Sequence, residues 1–183
     1  MKQQLLYLTL IFFVSCSIKY QRTSKDYARP VDDNVFTYKQ KNFHLSSSLI
    51  DTTKIYCNAY PADKPEYFDC YRFFANGRLL SYRFFGKIDE TAFADLNIGG
   101  VGYYHITDNI IRIQEFTVNM QKFKEDGGGM LVHFYGTIAN DSIKIDPEKI
   151  SKKYFANPRL GRRSYFLNYK KTNIKAPTLM QNW

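Results

Sequence analysis

Through most of this chain, apolar and polar side chains alternate with a period of two rather than 3.6. A pattern of that period buries one face only if the backbone is extended. The clearest run is Tyr67 to Phe85, interrupted at Asn76-Gly77. Asn-Gly is a strong hairpin signal, because both central residues of a type I′ turn need φ > 0. A two-residue turn there predicts Phe73 opposite Leu80, Tyr71 opposite Tyr82 and Asp69 opposite Phe84 on a mainly aromatic core face. Phe74 and Leu79, Arg72 and Ser81, and Cys70 and Arg83 then pair on the mixed face.

Two further hairpins follow from the same alternation. One runs from Val101 to Val118 and turns at Asp108-Asn109, setting Ile106 opposite Ile111, Tyr104 opposite Ile113 and His105 opposite Arg112. The other runs from Met130 to Ile145 around Asn140-Asp141, with Val132, Phe134, Ile138, Ile143 and Ile145 on its apolar side. Phe36 to Lys39, Lys54 to Tyr60 and Ser164 to Lys170 complete about nine candidate strands. Helical signal is confined to a short turn capped by Asp89 and a second segment from Pro147 to Phe155. Consecutive hairpins predict an all-β, antiparallel up-and-down meander. Closure into a small barrel removes its exposed edges, and a two-sheet sandwich is the alternative.

The first fifteen residues have the form of a secretory signal: Lys2, an apolar run from Leu5 to Val14, and Ser15 before Cys16. Ten apolar residues are too few to cross a bilayer, which takes roughly 20 in a helix. Phe13-Val14-Ser15-Cys16 resembles the lipobox of bacterial lipoproteins, which implies cleavage before Cys16 and a membrane anchor through lipid on that cysteine. Simple cleavage to a soluble secreted protein is the other reading. Residues 16–34 are expected to be a lipid-anchored tether, a flexible coil spanning on the order of 25 Å, and 35–183 a single β-rich domain. Lipoproteins that reach the outer face of the cell often carry an acidic cluster after the cysteine. The sequence Ser17-Ile18-Lys19-Tyr20-Gln21-Arg22 has none, which points to the periplasmic side of an outer membrane.

Export also bears on the other cysteines. With Cys16 assigned to lipid, Cys57 and Cys70 remain and are expected to form a disulfide, worth about 3 kcal/mol in the chain-entropy model. Two buried free thiols are the alternative.

The hairpins resemble the lipocalin-like barrels of bacterial lipoproteins in Phe73-Phe74-Ala75-Asn76-Gly77-Arg78 and Gly102-Tyr103-Tyr104-His105-Ile106. The resemblance spans Ile55 to Ile145 and implies a shape, since fold alone does not fix function.

No motif points to an enzyme. His44, His105 and His133 have no metal-ligand spacing, no Gly-x-Ser-x-Gly occurs, and no metal or cofactor is expected. Gly99-Gly100-Val101-Gly102 and Gly127-Gly128-Gly129 lead into no helix that could cradle phosphate, and are read as bulges and turns. Asp69 and Glu115 both fall on core faces, where paired carboxylates could act on a glycan; strand ends at a solvated rim, or pairing with an arginine, would explain them equally. Tyr71, Phe73, Tyr82 and Tyr104 could line a site for an apolar or amphipathic ligand, or fill the core.

Charge is distributed unevenly. From Pro147 onward nine basic residues face Glu148 alone, so this part carries the whole +8 of the chain from Cys16 onward. Export argues against nucleic acid. Arg162, Arg163, Lys170 and Lys171 are therefore candidates for contact with anionic head groups, against the alternative of a solvated surface. The leading expectation is a non-enzymatic, lipid-anchored binding module. A structural or assembly lipoprotein with an envelope protein partner, and a glycan-active enzyme, are the alternatives.

Overall fold

The structure, a computed structural model, describes residues 18–39, 49–60, 67–86, 88–118, 128–146 and 167–177. They form β1 (Tyr20–Arg22), β2 (Ala28–Pro30), β3 (Lys54–Tyr60), β4 (Tyr67–Phe73), β5 (Arg78–Phe85), β6 (Gly100–Thr107), β7 (Ile110–Val118), β8 (Gly129–Ala139), β9 (Ser142–Ile145) and β10 (Leu167–Lys175). Strands β3 to β10 close into an eight-stranded antiparallel barrel in which β10 pairs with both β9 and β3. The sandwich alternative is therefore excluded. Helical structure among the described residues is limited to 3-10 turns at Asp33–Val35 and Glu90–Phe93, the second capped by Asp89 as expected. The expected helical segment from Pro147 to Phe155 lies outside the described residues.

The hairpins at Asp108-Asn109 and Asn140-Asp141 have the expected registers, with Tyr104 opposite Ile113, His105 opposite Arg112 and Ile138 opposite Ile143. The one at Asn76-Gly77 does not. Phe74 N–H donates to the Arg78 carbonyl at 2.9 Å and Gly77 N–H to the Phe74 carbonyl at 3.1 Å, so three residues form the loop and only Gly77 takes positive φ, at 83°. One extra loop residue shifts the pairing by one. Phe73 now faces Leu79, Tyr71 faces Ser81 and Asp69 faces Arg83. Leu80 and Tyr82 consequently turn to the opposite face.

Two apolar cores result. The barrel interior holds Tyr56, Tyr71, Phe73, Leu79, Tyr104, Ile111, Ile113, Val132, Phe134, Ile138, Ile143, Ile145 and Tyr169. The outer face of β3 to β7 buries a second cluster that includes Cys57, Cys70, Leu80, Tyr82, Val101, Tyr103 and Phe116. Cys57 and Cys70 lie opposite each other on β3 and β4 and form the expected disulfide.

This outer cluster is covered by chain that the sequence assigns to tether and loop. Residues 18–38 pack along the barrel: Ile18 bridges to Gly129, Tyr20 meets Phe116, and Phe36 lies 5.0 Å from Tyr103, ring centroid to centroid. Arg29 donates to the carbonyls of Gly99, Leu96 and Ile98, and Arg72 to those of Phe93 and Pro177. Burial lowers the Arg29 guanidinium to about 10, the cost of using a cation to collect carbonyls away from water. The expected coil is thus a docked layer from Ile18 onward. Phe36 to Lys39 forms a turn, not a strand, because Phe36 is drawn onto Tyr103 while Tyr38 N–H donates to the Gln114 side chain.

The two ends of the barrel differ in build. Residues 75–77, 108–109 and 140–141 join strands at the tight-turn end, whereas residues 61–66, 86–99, 119–128 and 146–166 join them at the long-connection end.

Candidate functional site

Strand parity places a ladder of polar side chains inside the barrel near its long-connection end. Along β4 the inward positions run Phe73, Tyr71, Asp69, so the wall changes from aromatic to acidic as it nears this opening. Arg83, directly across on β5, donates to both Asp69 oxygens, from Nε at 2.7 Å and Nη2 at 3.2 Å, and its guanidinium lies 5.5 Å from the Tyr67 ring centroid. The fork gives each Asp69 oxygen one charged donor. Of the two readings of that carboxylate, pairing with an arginine is the one found, and it opposes a role as a free acid or base.

Glu115 is different. It points inward from β7, opposite Gly102 and Val132, and its Oε1 is buried with no hydrogen-bond partner. Removal from water pushes its carboxyl up to about 7. Hydrogen bonds from the Tyr71 and Ser81 hydroxyls oppose this rise, and the nearby Asp69 charge adds to it. Asp69 and Glu115, far apart in sequence, therefore do feel one another. The ring centroids of Tyr71 and Tyr169 are 4.6 Å apart beside Glu115, and burial raises both phenols well above their ordinary range. The group is a neutral or singly charged carboxyl among hydroxyls and aromatic faces. It can accept from a ligand donor or, when protonated, donate to an acceptor.

Below this ladder the interior is filled. Phe73 contacts Tyr104 at 4.9 Å and Tyr56 at 5.5 Å, both edge-on, and Tyr104 donates its hydroxyl to the Phe74 carbonyl at 2.8 Å. Phe73 and Tyr104 have no exposed surface. Of the four aromatic residues expected to line a ligand site, Tyr71 stands at the polar ladder and Phe73 and Tyr104 form the packed floor beneath it. Tyr82 is not inside the barrel. The one-residue register shift places it in the outer cluster, 5.2 Å from Phe93, where burial raises its phenol to about 12.

Of the four candidate cations, Lys170 and Lys171 are described, and they face opposite ways. Lys170 pairs in register with Cys57 and shares its outward face, whereas Lys171 pairs with Tyr56 and bonds Asp141 at 2.6 Å at the tight-turn end. That ion pair and Asp51 raise the Lys171 ammonium above its ordinary value. Arg162, Arg163, Cys16 and the signal lie outside the described residues, as does His44. Among the described residues no three His, Cys, Asp or Glu side chains converge on a metal position. His133 instead contacts Gln114 at 3.3 Å and Tyr38 at 3.4 Å, and His105 contacts Thr107.

The sequence reading missed Tyr169 and Ser81 as neighbours of Glu115. The alternation Leu167, Tyr169, Lys171 was present in the chain, but β10 closes the barrel through pairing with β9 and β3, which no local pattern announces. Ser81 became a neighbour only through the register shift. Compared with known proteins, the chain matches no protein-family model, no curated protein and no solved structure.

Proposed function

We propose that this protein is a lipid-anchored, periplasm-facing binding module of the bacterial envelope that takes a small polar or amphipathic molecule at the long-connection end of its barrel. Glu115 is the recognition group and Tyr71 and Tyr169 are its walls. The observation that carries this reading is the buried Glu115 Oε1 without a partner. A buried acceptor left unmatched costs about 1–3 kcal/mol, and a ligand donor entering this opening would recover that cost. The packed floor of Phe73, Tyr104 and Tyr56 leaves the ligand's apolar portion to the opening rather than the depth of the barrel. Turnover is no part of the proposal, since the Arg83 fork holds Asp69.

Native mass spectrometry of protein purified from its own envelope tests it. The full chain should carry a small molecule that Glu115→Leu loses and Tyr104→Phe keeps. A mass equal to that of the bare protein for each of the three would overturn the reading. A stoichiometric protein partner in its place would favour an assembly lipoprotein, for which the filled interior is the supporting observation.

A further inference from the structure

We propose that His133 is a pH-sensitive latch: its neutral ring ties Thr37 and Tyr38 to the outer wall of the barrel, and protonation lets them go. Gln114 fixes the roles. Its side chain, 1% exposed, accepts the Tyr38 N–H at Oε1 at 3.2 Å, so Nε2 is the end that meets Thr37 Oγ1 at 3.1 Å and His133 Nε2 at 3.3 Å. An amide nitrogen only donates, so His133 Nε2 has to accept. The ring proton therefore sits on Nδ1, which faces the Tyr38 hydroxyl at 3.4 Å, with the two rings edge-on. Tyr38 in turn hydrogen-bonds the Tyr135 side chain. The donors run one way, from Gln114 through His133 to Tyr38.

A second ring proton breaks this chain. It lands on Nε2 and sets an N–H against the Gln114 amino group. Turning the Gln114 amide over would give the ring an acceptor, but it would set the amino group against the Tyr38 N–H instead. Either way a donor beside a buried amide loses its acceptor, and Gln114 has almost no surface through which water could replace it. Among the described residues, the titratable and charged groups around the ring are Tyr38 from the N-terminal layer, Arg112 from β7 and Tyr135 on β8, with Asp146, just past β9, donating its N–H to the Tyr135 carbonyl. Burial raises the Tyr38 phenol to about 12, far from the range in which histidine titrates. Tyr103, beyond Gln114 on β6, is committed to Arg78 and Asp33. Burial also holds the His133 imidazolium below its ordinary 6.5. The contribution of the neutral ring is thus fully present above about 6.5 and is lost as pH falls through the lowered value. That sign is opposite to the one for Glu115, which points inward from the next position on β7, so the two titrations can be told apart.

Nitrogen-15-labelled full-length protein in detergent micelles provides the test. At pH 7.5 the His133 ring nitrogens should show the proton on Nδ1. From pH 7.5 to 4.5 the protection of the Tyr38 amide against hydrogen exchange, taken relative to an unstructured chain at each pH, should fall at least tenfold. The Tyr104 amide, bonded to the Gly77 carbonyl at 2.8 Å, should hold its protection within twofold. His133→Gln keeps an acceptor toward Gln114 at every pH and should hold Tyr38 protection within twofold, while Asp146→Asn should respond like the parent. A ring proton on Nε2 at pH 7.5, or Tyr38 protection unchanged down to pH 4.5, would overturn the latch even where His133→Gln does not fold. So would a fall shared by Tyr104, a fall that survives in His133→Gln, or a response lost in Asp146→Asn.

Discussion

In the barrel interior at the tight-turn end, Tyr104 donates to a carbonyl, Tyr56 accepts from the Asp51 N–H at 2.9 Å, and Lys171 holds Asp141. At the long-connection end a carboxyl oxygen is buried without a partner and an aromatic side chain stands in water. The two ends share strands, parity and pleat. What separates them is how the strands are joined, since short turns saturate their own hydrogen bonds while long connections leave the inward residues of the strand ends to find other partners. One end specifies the fold, and the other is where the proposed ligand would sit.

The largest effect should come from breaking the closed half. Phe73→Ala removes a ring packed between Tyr56 and Tyr104 and should cost about 3–5 kcal/mol of unfolding free energy in urea titration. A loss below about 1 kcal/mol would mean that the interior is loosely filled and that the contrast between the ends is false.

The second effect concerns the open half and has a defined sign. The Glu115 carboxyl is raised from 4.5 to about 7, so the folded state binds the proton more tightly than the unfolded chain does. Its favourable contribution is fully present below about 4.5 and is lost as pH rises through 7, a change on the order of 3 kcal/mol. Denaturation midpoints should therefore fall across that window in the parent and lose that fall in Glu115→Gln. A parent profile that rises there with Glu115 intact would break the assignment.

The smallest effect returns to the closed end. Tyr104→Phe removes one buried hydroxyl and leaves the Phe74 carbonyl one donor short, at a cost of about 1 kcal/mol. Ligand retention should not change. If instead Tyr104→Phe empties the protein, the binding surface extends down to the floor and the two ends act as one.

Much of this barrel was legible in the chain because alternation with period two fixes which residues share a face. The Asp108-Asn109 and Asn140-Asp141 hairpins and the strand from Lys54 to Tyr60 follow from it directly, while the Cys57–Cys70 bridge was expected from the cysteines left once Cys16 is assigned to lipid. Asn76-Gly77 failed for a specific reason. Its signal marks a turn but does not set loop length, and three loop residues instead of two moved Tyr82 from the interior to the outer face. The docked N-terminal layer was hidden by composition, because Arg29 and Asp33 look like solvated charges until the carbonyls around Gly99 and the Arg78 side chain are brought to them. The site itself was half legible: Asp69, Glu115 and Tyr71 could be placed on inward faces, but their order of importance depended on Arg83 pairing with Asp69 while Glu115 keeps one oxygen without a partner.

The most direct test is the titration of Glu115, followed by carbon-13 carboxyl resonances in selectively labelled, ligand-free protein. The difference between the two ends predicts a midpoint near 7 for this one glutamate, displaced when an envelope extract supplies the missing partner. A midpoint at the ordinary value of about 4.5, unmoved by the extract, would show that the carboxyl is already satisfied and that the long-connection end is as complete as the other.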